Sequence, residues 1–220
     1  MSTVFQPFGL KPAYHPSGLD RAVPFVGTNS YSNGVSYSAN YSLSSGQSFF
    51  QYTPVAITTT GQLTLANQAA ASGKVYGSFD GVEYTNSDGR RAVAKSISLV
   101  ALAASTQVIF WIFADPALVY EIQVNGSATT SAVGTEYNFD TTAGSTVSDG
   151  YTIGIGGSGF STTALLATAV GTGVQGQVRV VGLGREAAYP AGNTNAWGDA
   201  FTIVQVQISN NAFAAPSVSV

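Results

Sequence analysis

Residues 35–43 alternate without a break: Val35, Tyr37, Ala39, Tyr41 and Leu43 are apolar or aromatic, and Ser36, Ser38, Asn40 and Ser42 stand between them. Successive side chains of a strand point to opposite faces, so this spacing predicts a strand with one apolar face and one hydroxyl face. The same period returns over 118–124, where Leu118, Tyr120, Ile122 and Val124 alternate with Val119, Glu121 and Gln123, and again over 201–209. Helical spacing is nearly absent. A chain patterned in this way has to bury sheet faces against one another.

Turn signals divide the strands. Asn86-Ser87-Asp88-Gly89 reads as a hairpin connector, because glycine accepts positive φ and Asn and Asp tolerate it. Asp80-Gly81 reads as a turn that interrupts 74–84, Asp115-Pro116 as a turn after 108–113, and Pro54 as an edge or bulge within 49–57. Residues 108–113 are an unbroken apolar run, which predicts a strand buried on both faces. Further strands are expected at 62–65, 92–100, 136–139, 151–155 and 177–183. Residues 66–71 have room for one helical turn at most, and 161–170 reads as a short helix or a loop. The sum is an all-β protein, a sandwich or barrel of about ten short antiparallel strands. No internal repeat of fixed period argues for a propeller or solenoid.

Residues 1–34 are different. Pro7, Pro12, Pro16, Pro24 and the pairs Ser17-Gly18 and Asn33-Gly34 keep the segment out of any sheet or helix interior. It also carries Phe5, Phe8, Leu10, Tyr14, Leu19 and Phe25, residues in which disordered tails are poor. The expectation is an extended N-terminal arm over 1–34, whose apolar anchors seek a groove on this subunit or a neighbour. The β domain then spans 35–220, with room for two sub-lobes parted near 125–150. An arm of this kind should be removable, through residue 25, without disturbing the melting of the domain.

Charged residues are 9% of the 220, against about 25% in an ordinary soluble domain. The skin must then be Ser, Thr, Asn, Gln and Gly, which is cheap to desolvate and suits burial in an assembly. The net charge is −3 and the nearest thing to a basic run is Arg90-Arg91, so no direct nucleic-acid partner is expected. No stretch is apolar enough for a spanning helix, and Met1-Ser2-Thr3-Val4-Phe5 lacks the features of a signal peptide. The expectation is synthesis in a cytoplasm and no membrane partner.

Residues that do chemistry are few. There is no cysteine and one histidine, His15, so zinc sites of ordinary composition are not expected. A Ser-His-Asp set would rest on that one residue in the arm, which reads better as a packing or hydrogen-bonding group. Asp80 with Glu83, and Asp140 with Asp149, are the carboxylate pairs a hydrolase would use, but turn duty accounts for them. Gly154-Ile155-Gly156-Gly157-Ser158-Gly159 fits the dinucleotide-binding spacing without the helix or the acid that the fingerprint needs, since Arg179 stands where the acid belongs. Residues 140–149 offer oxygen ligands without the EF-hand spacing. The reading therefore expects no catalytic, cofactor or metal residues. Contacts to other polypeptides are assigned to Phe5, Phe8, Leu10, Tyr14, Phe25 and Trp197, the last standing in a polar loop and expected to be more exposed than Trp111. A glycan-binding fibre or surface-adhesion module, stacking sugars on Tyr31, Tyr37, Tyr41 or Trp197, is the alternative.

Three stretches carry a family likeness. Phe8-Gly9-Leu10-Lys11-Pro12-Ala13-Tyr14-His15-Pro16-Ser17-Gly18 resembles the opening of a group of tailed-phage virion proteins, F-G-L/F-R/K-P and then an H-x-S/D-G turn. Phe79-Asp80-Gly81-Val82-Glu83-Tyr84 with Asp88-Gly89-Arg90-Arg91 is similar to the group's central hairpin. Val180-Val181-Gly182-Leu183, Asn195-Ala196-Trp197-Gly198-Asp199-Ala200-Phe201 and Val204-Gln205-Val206-Gln207-Ile208-Ser209-Asn210-Asn211 are similar to its ending, where Ser209 and Ala212 replace the usual Asn and His. The resemblance implies a capsid decoration, or cement, protein on the outside of a shell built of HK97-fold subunits. Its partners would be the major capsid protein and further copies of itself, as a dimer or trimer.

Overall fold

The computed structural model describes residues 5–18, 21–25, 41–43, 47–66, 74–140, 161, 163–185 and 195–213. Most of the expected strand at 35–43, that at 151–155, the glycine-rich loop 154–159 and most of the possible helical turn at 66–71 lie outside these residues. The fold is all-β and antiparallel. One sheet orders β2 (Val23–Phe25), β9 (Thr106–Phe113), β6 (Gly77–Thr85), β4 (Pro54–Ile57) and β5 (Leu63–Leu65), with β7 (Arg91–Ala94) paired to the far end of β6. The other orders β1 (Lys11–Tyr14), β10 (Val119–Gln123), β15 (Ile203–Ile208), β14 (Val178–Leu183) and β11 (Glu136–Tyr137). Two small pairs complete it: β3 (Ser48–Phe49) with β8 (Ile97–Ser98), and β12 (Phe139–Asp140) with β13 (Ala164–Leu165).

Each large sheet has its own core. Tyr120, Ile122, Val178, Val180, Val204 and Val206 close over Phe139 and Leu165, all nearly or fully buried. On the six-stranded sheet Phe49 stacks on Phe79 at 5.4 Å and tilts against Phe110 at 5.3 Å, with Val55, Leu63, Val82 and Ile112 around them. The chain changes sheet between Phe113 and Val119, at the Asp115-Pro116 turn, where Leu118 N–H returns to Asp115 O at 3.1 Å.

The segment read as an arm is extended, and it lies on its own chain. β1 and β2 each form the edge of a large sheet, positions where Pro12 and Pro24 forfeit no ladder bond that a central strand would need. Just before β1, Leu10 is fully buried in the first core. Its N–H donates to Tyr52 O at 2.7 Å and its carbonyl accepts the Ser78 hydroxyl at 2.6 Å. Tyr52 and Ser78 belong to the region of the other sheet, so this short stretch joins the two. Gly9 is the residue the geometry demands. Its φ is +79°, and a Cβ there would sit 2.3 Å from Tyr52 O. Tyr52 itself holds φ +66°, an unusual state for a residue with a side chain. Its N–H bond to Phe79 O and its carbonyl bond from Leu10 fix it there.

Four local expectations change. Residues 49–57 are not one strand, because Tyr52 turns the chain between β3 and β4, and Pro54 opens β4. Asp80-Gly81 is not a turn: β6 runs through it with a bulge, and Ala94 O packs where a Gly81 Cβ would be, at 2.9 Å. The return after the hairpin is short, and residues 99–103 form a helix, α1 (Leu99–Ala103), capped by Ser98 Oγ accepting from Ala101 N–H at 3.2 Å. Finally, β9 is not buried on both faces. Val108, Phe110 and Ile112 enter the second core, while Ile109, Trp111 and Phe113 are half-buried on the other side.

Gly9→Ala is expected to cost about 3 kcal/mol in chemical denaturation, since it adds both strain and a backbone clash. Gly18→Ala, at φ +71° with nothing within 4 Å of the added carbon, should cost no more than about 1 kcal/mol. Deleting residues 2–25 should abolish the cooperative melting transition followed by circular dichroism, contrary to the behaviour of a separable arm.

Candidate functional site

The six residues assigned to contacts fall in different surroundings. Leu10 has no exposed surface, so it anchors its own chain and leaves the contact set. Phe25 is half-buried against the second core, 5.7 Å from the Tyr76 ring. Phe5 packs on Phe201 at 5.1 Å, and Phe8 is half-buried beside it in sequence. Trp197 is half-buried against the first core, as Trp111 is half-buried on β9. Tyr14 is the exception, 36% exposed, with the Arg185 guanidinium over its ring at 5.3 Å.

The structure brings forward a surface that sequence reasoning missed. The register places Val93, Glu83 and Ile109 in one row across β7, β6 and β9, and Gly81, Trp111 and Pro24 in the next row across β6, β9 and β2. These side chains share the face of the six-stranded sheet opposite the second core. Lower on the same face, Ser78 and Phe113 are covered by the Leu10 segment and the first core. The upper part is open: Val93 is 73% exposed and Pro24 is exposed. Gly81 contributes no side chain beside Trp111. Glu83, paired with Arg91, stands between Val93 and Ile109, and Asp80 with Lys95 at 2.8 Å edges the patch. Open aromatic and aliphatic side chains with paired charges among and beside them suit a protein–protein contact. The signal in the sequence was the position of Val93, four residues past the hairpin glycine Gly89, and its two-strand relation to the 108–113 run.

The hydrolase candidates are placed by the same pairing. Asp80 accepts from Lys95 Nζ and from Gln51 Nε2 at 3.1 Å. Glu83 is bonded by Arg91, whose hydrogen bond and charge hold its carboxyl below the usual carboxylate range. Each acid is committed to its own cation across the β6–β7 hairpin. The His15 ring is nearly buried; Ser17 N–H donates to its Nδ1 at 2.9 Å, and its Nε2 lies 3.3 Å from Asp115 Oδ1 without hydrogen-bond geometry. That contact ties the end of β1 to the turn before β10, and among the described residues no hydroxyl bonds the imidazole. Asp140 accepts from Asn125 Nδ2; the rest of the 140–149 stretch lies outside the described residues. Among the described residues no group of three acids or histidines is placed to hold a metal, and no helix is long and apolar enough to cross a membrane.

A buried carboxylate organises the far edge of the five-stranded sheet. Glu136 is fully buried and accepts from Arg179 Nη2 at 2.9 Å, Gly176 N–H at 2.7 Å and Gln175 Nε2 at 3.1 Å. Three donors make it a structural strut between β11, β14 and Ser209, which Gln175 also reaches. Comparison with known proteins gives no match, whether to family models, to curated proteins or to solved structures.

Arg179→Met should cost roughly 2–3 kcal/mol in urea denaturation, since it strips a buried carboxylate of its cation but leaves two other donors. A loss under about 0.5 kcal/mol, the range of ordinary surface changes, would show that Glu136 does not depend on that partner.

Proposed function

We propose that this chain is a structural protein of a phage virion, which binds the outside of an HK97-fold capsid and stabilises it through protein–protein contacts. The observation that carries the reading is the open, apolar end of the six-stranded sheet, with Trp111, Ile109, Val93 and Pro24 at its centre. Apolar side chains left open on a sheet face, beside the Glu83–Arg91 pair, support a contact surface there. The low charge of the whole chain supports it, since a hydroxyl and amide skin is desolvated at less cost than a charged one. The motif likeness of the arm, the hairpin and the C-terminal strand supports it from a second direction. The hairpin motif includes Gly81 and Arg91, residues of the patch and of its rim. Many copies placed by the symmetry of a shell would each add a modest contact, and the shell would gain the sum. The work assigned to the molecule is adhesion, with no reaction.

Val93→Asp tests this. The side chain is exposed, so melting should shift by less than about 0.5 kcal/mol in stability terms. Co-sedimentation with empty shells of the phage that encodes the chain should weaken at least tenfold, because the variant sets an unpaired charge in an apolar contact. Wild-type protein that fails to sediment with shells would contradict the function. Undiminished binding of the variant would move the contact to another face.

A further inference from the structure

The edge of a sheet leaves a row of backbone donors and acceptors that another chain can use. Most edges of the two large sheets are closed. In the five-stranded sheet Val124 N–H donates to Thr202 O at 2.9 Å, so Ile122 with Val204 and Tyr120 with Val206 are the next bonded pairs. Pro12, opposite Tyr120, therefore turns outward on β1, where it has no N–H to offer. In the six-stranded sheet Phe79 N–H donates to Thr53 O at 2.9 Å, so Ile112, opposite Phe79, turns toward β2 and faces Val23. Pro24, one residue on, turns outward in the same way. The far edges are met by other parts of the chain: Leu63 O on β5 accepts Ser42 N–H at 2.7 Å, and Glu136 O on β11 accepts Val170 N–H at 3.0 Å.

β7 has neither protection. Asn86 N–H donates to Arg90 O at 2.8 Å, which makes Tyr84 with Ala92 and Val82 with Ala94 the bonded pairs of the hairpin. Val93 then turns its N–H and carbonyl away from β6, and among the described residues no backbone group bonds them. The residue is 73% exposed, so the strand is reachable from outside. Cations commonly guard an edge, but those flanking β7 lean inward: Arg91 reaches Glu83 and Lys95 reaches Asp80, both on β6. Ala92 and Ala94 are small enough for another backbone to come close.

We infer that β7 pairs antiparallel with β7 of a second copy, about a twofold axis between the two Val93 residues. Each Val93 donates its N–H to the carbonyl of the other, so one contact meets the free groups of both copies. Arg91 comes opposite Lys95 of the other copy, and each brings its own acid, Glu83 or Asp80, so the contact is neutral. A second copy fits because the edge is its own complement: short, neutral, flanked by alanines and free on the same residue in both. Four residues a side make a small contact, so the pair is weak in solution. The axis stands perpendicular to the sheet, which puts Ile109 and Trp111 of both copies on one side. The pairing thereby doubles the face assigned above to the shell, but it does not rest on that assignment.

The test is sedimentation velocity of the full chain with no shell present, so its outcome is separate from that of shell binding. At about 100 μM, in the range where weak specific contacts form, the wild type should sediment as a mixture of monomer and dimer. Val93→Pro removes the outward N–H and forfeits no bond to β6, the arrangement that Pro12 and Pro24 already have on their own strands. It should weaken the dimer at least tenfold with an unchanged melting curve, while Val93→Thr, which keeps the N–H, should dimerise like the wild type. Should the proline disturb the hairpin, a cysteine decides. The chain has none of its own, so Val93→Cys supplies one thiol per copy. Mild oxidation should link the copies at least tenfold faster than in Val100→Cys, 80% exposed on α1, because the ~5.5 Å between paired Cα atoms lies within disulfide reach. A monomeric wild type would overturn the inference and leave the edge to a strand of another protein. A trimer, a dimer that Val93→Pro leaves intact, or equal linking at positions 93 and 100 would overturn it too.

Discussion

Leu10 is held on three sides, and the architecture depends on it. Its side chain fills the core of the five-stranded sheet, its N–H is bonded to Tyr52 and its carbonyl to Ser78. A fully buried leucine contributes about 2 kcal/mol by area alone, and the two hydrogen bonds spare buried backbone groups from going unmatched. The same carbonyl of Tyr52 that receives Leu10 belongs to a residue in a strained conformation, which survives only because its surroundings over-determine it. Gly9 has no side chain because that carbonyl occupies its place. One tripeptide-sized contact thus fixes the entry of the chain, the break between β3 and β4, and the relation of the two large sheets.

That contact explains why the strands were legible and their partnership was not. Alternation at 118–124 and 203–208 follows from a local rule, and β10 and β15 lie there. The hairpin at Asn86–Gly89 is likewise local: Gly89 N–H returns to Asn86 O at 2.9 Å, within four residues. What pairs with Lys11 is decided by residues more than a hundred positions away, and nothing in a proline-rich arm announces that it will be an edge strand. The 108–113 run shows the same limit. Six apolar residues in a row do not say whether the second face meets a core or stands open; half-buried Phe113 packs on the first core, while Trp111, two residues earlier and also half-buried, stands beside exposed Pro24. Gly81 and Asp80 look like a turn because the composition of a bulge and of a turn is the same.

The candidate sites were less legible still, because each is made by register. Val93, Ile109 and Trp111 become neighbours through pairings across three strands, and the free edge of β7 is set by which of its residues bond β6. The first of these sits on the reverse side of a packed core, and Val93 on it stands open to contact. The scarcity of charge matters here. On a skin of hydroxyls and amides, the ion pairs Glu83–Arg91 and Asp80–Lys95 and the cation–π pair of Arg185 with Tyr14 concentrate charge among the described surface residues.

The central claim is that the N-terminal segment and both sheets are one folding unit joined at Leu10. Native-state hydrogen exchange of the Leu10 amide tests it most directly. The account predicts that this amide exchanges only through global unfolding, with the same free energy as amides in the centres of β6 and β10. Exchange of Leu10 through a local opening of lower free energy, while β6 and β10 stay protected, would contradict it.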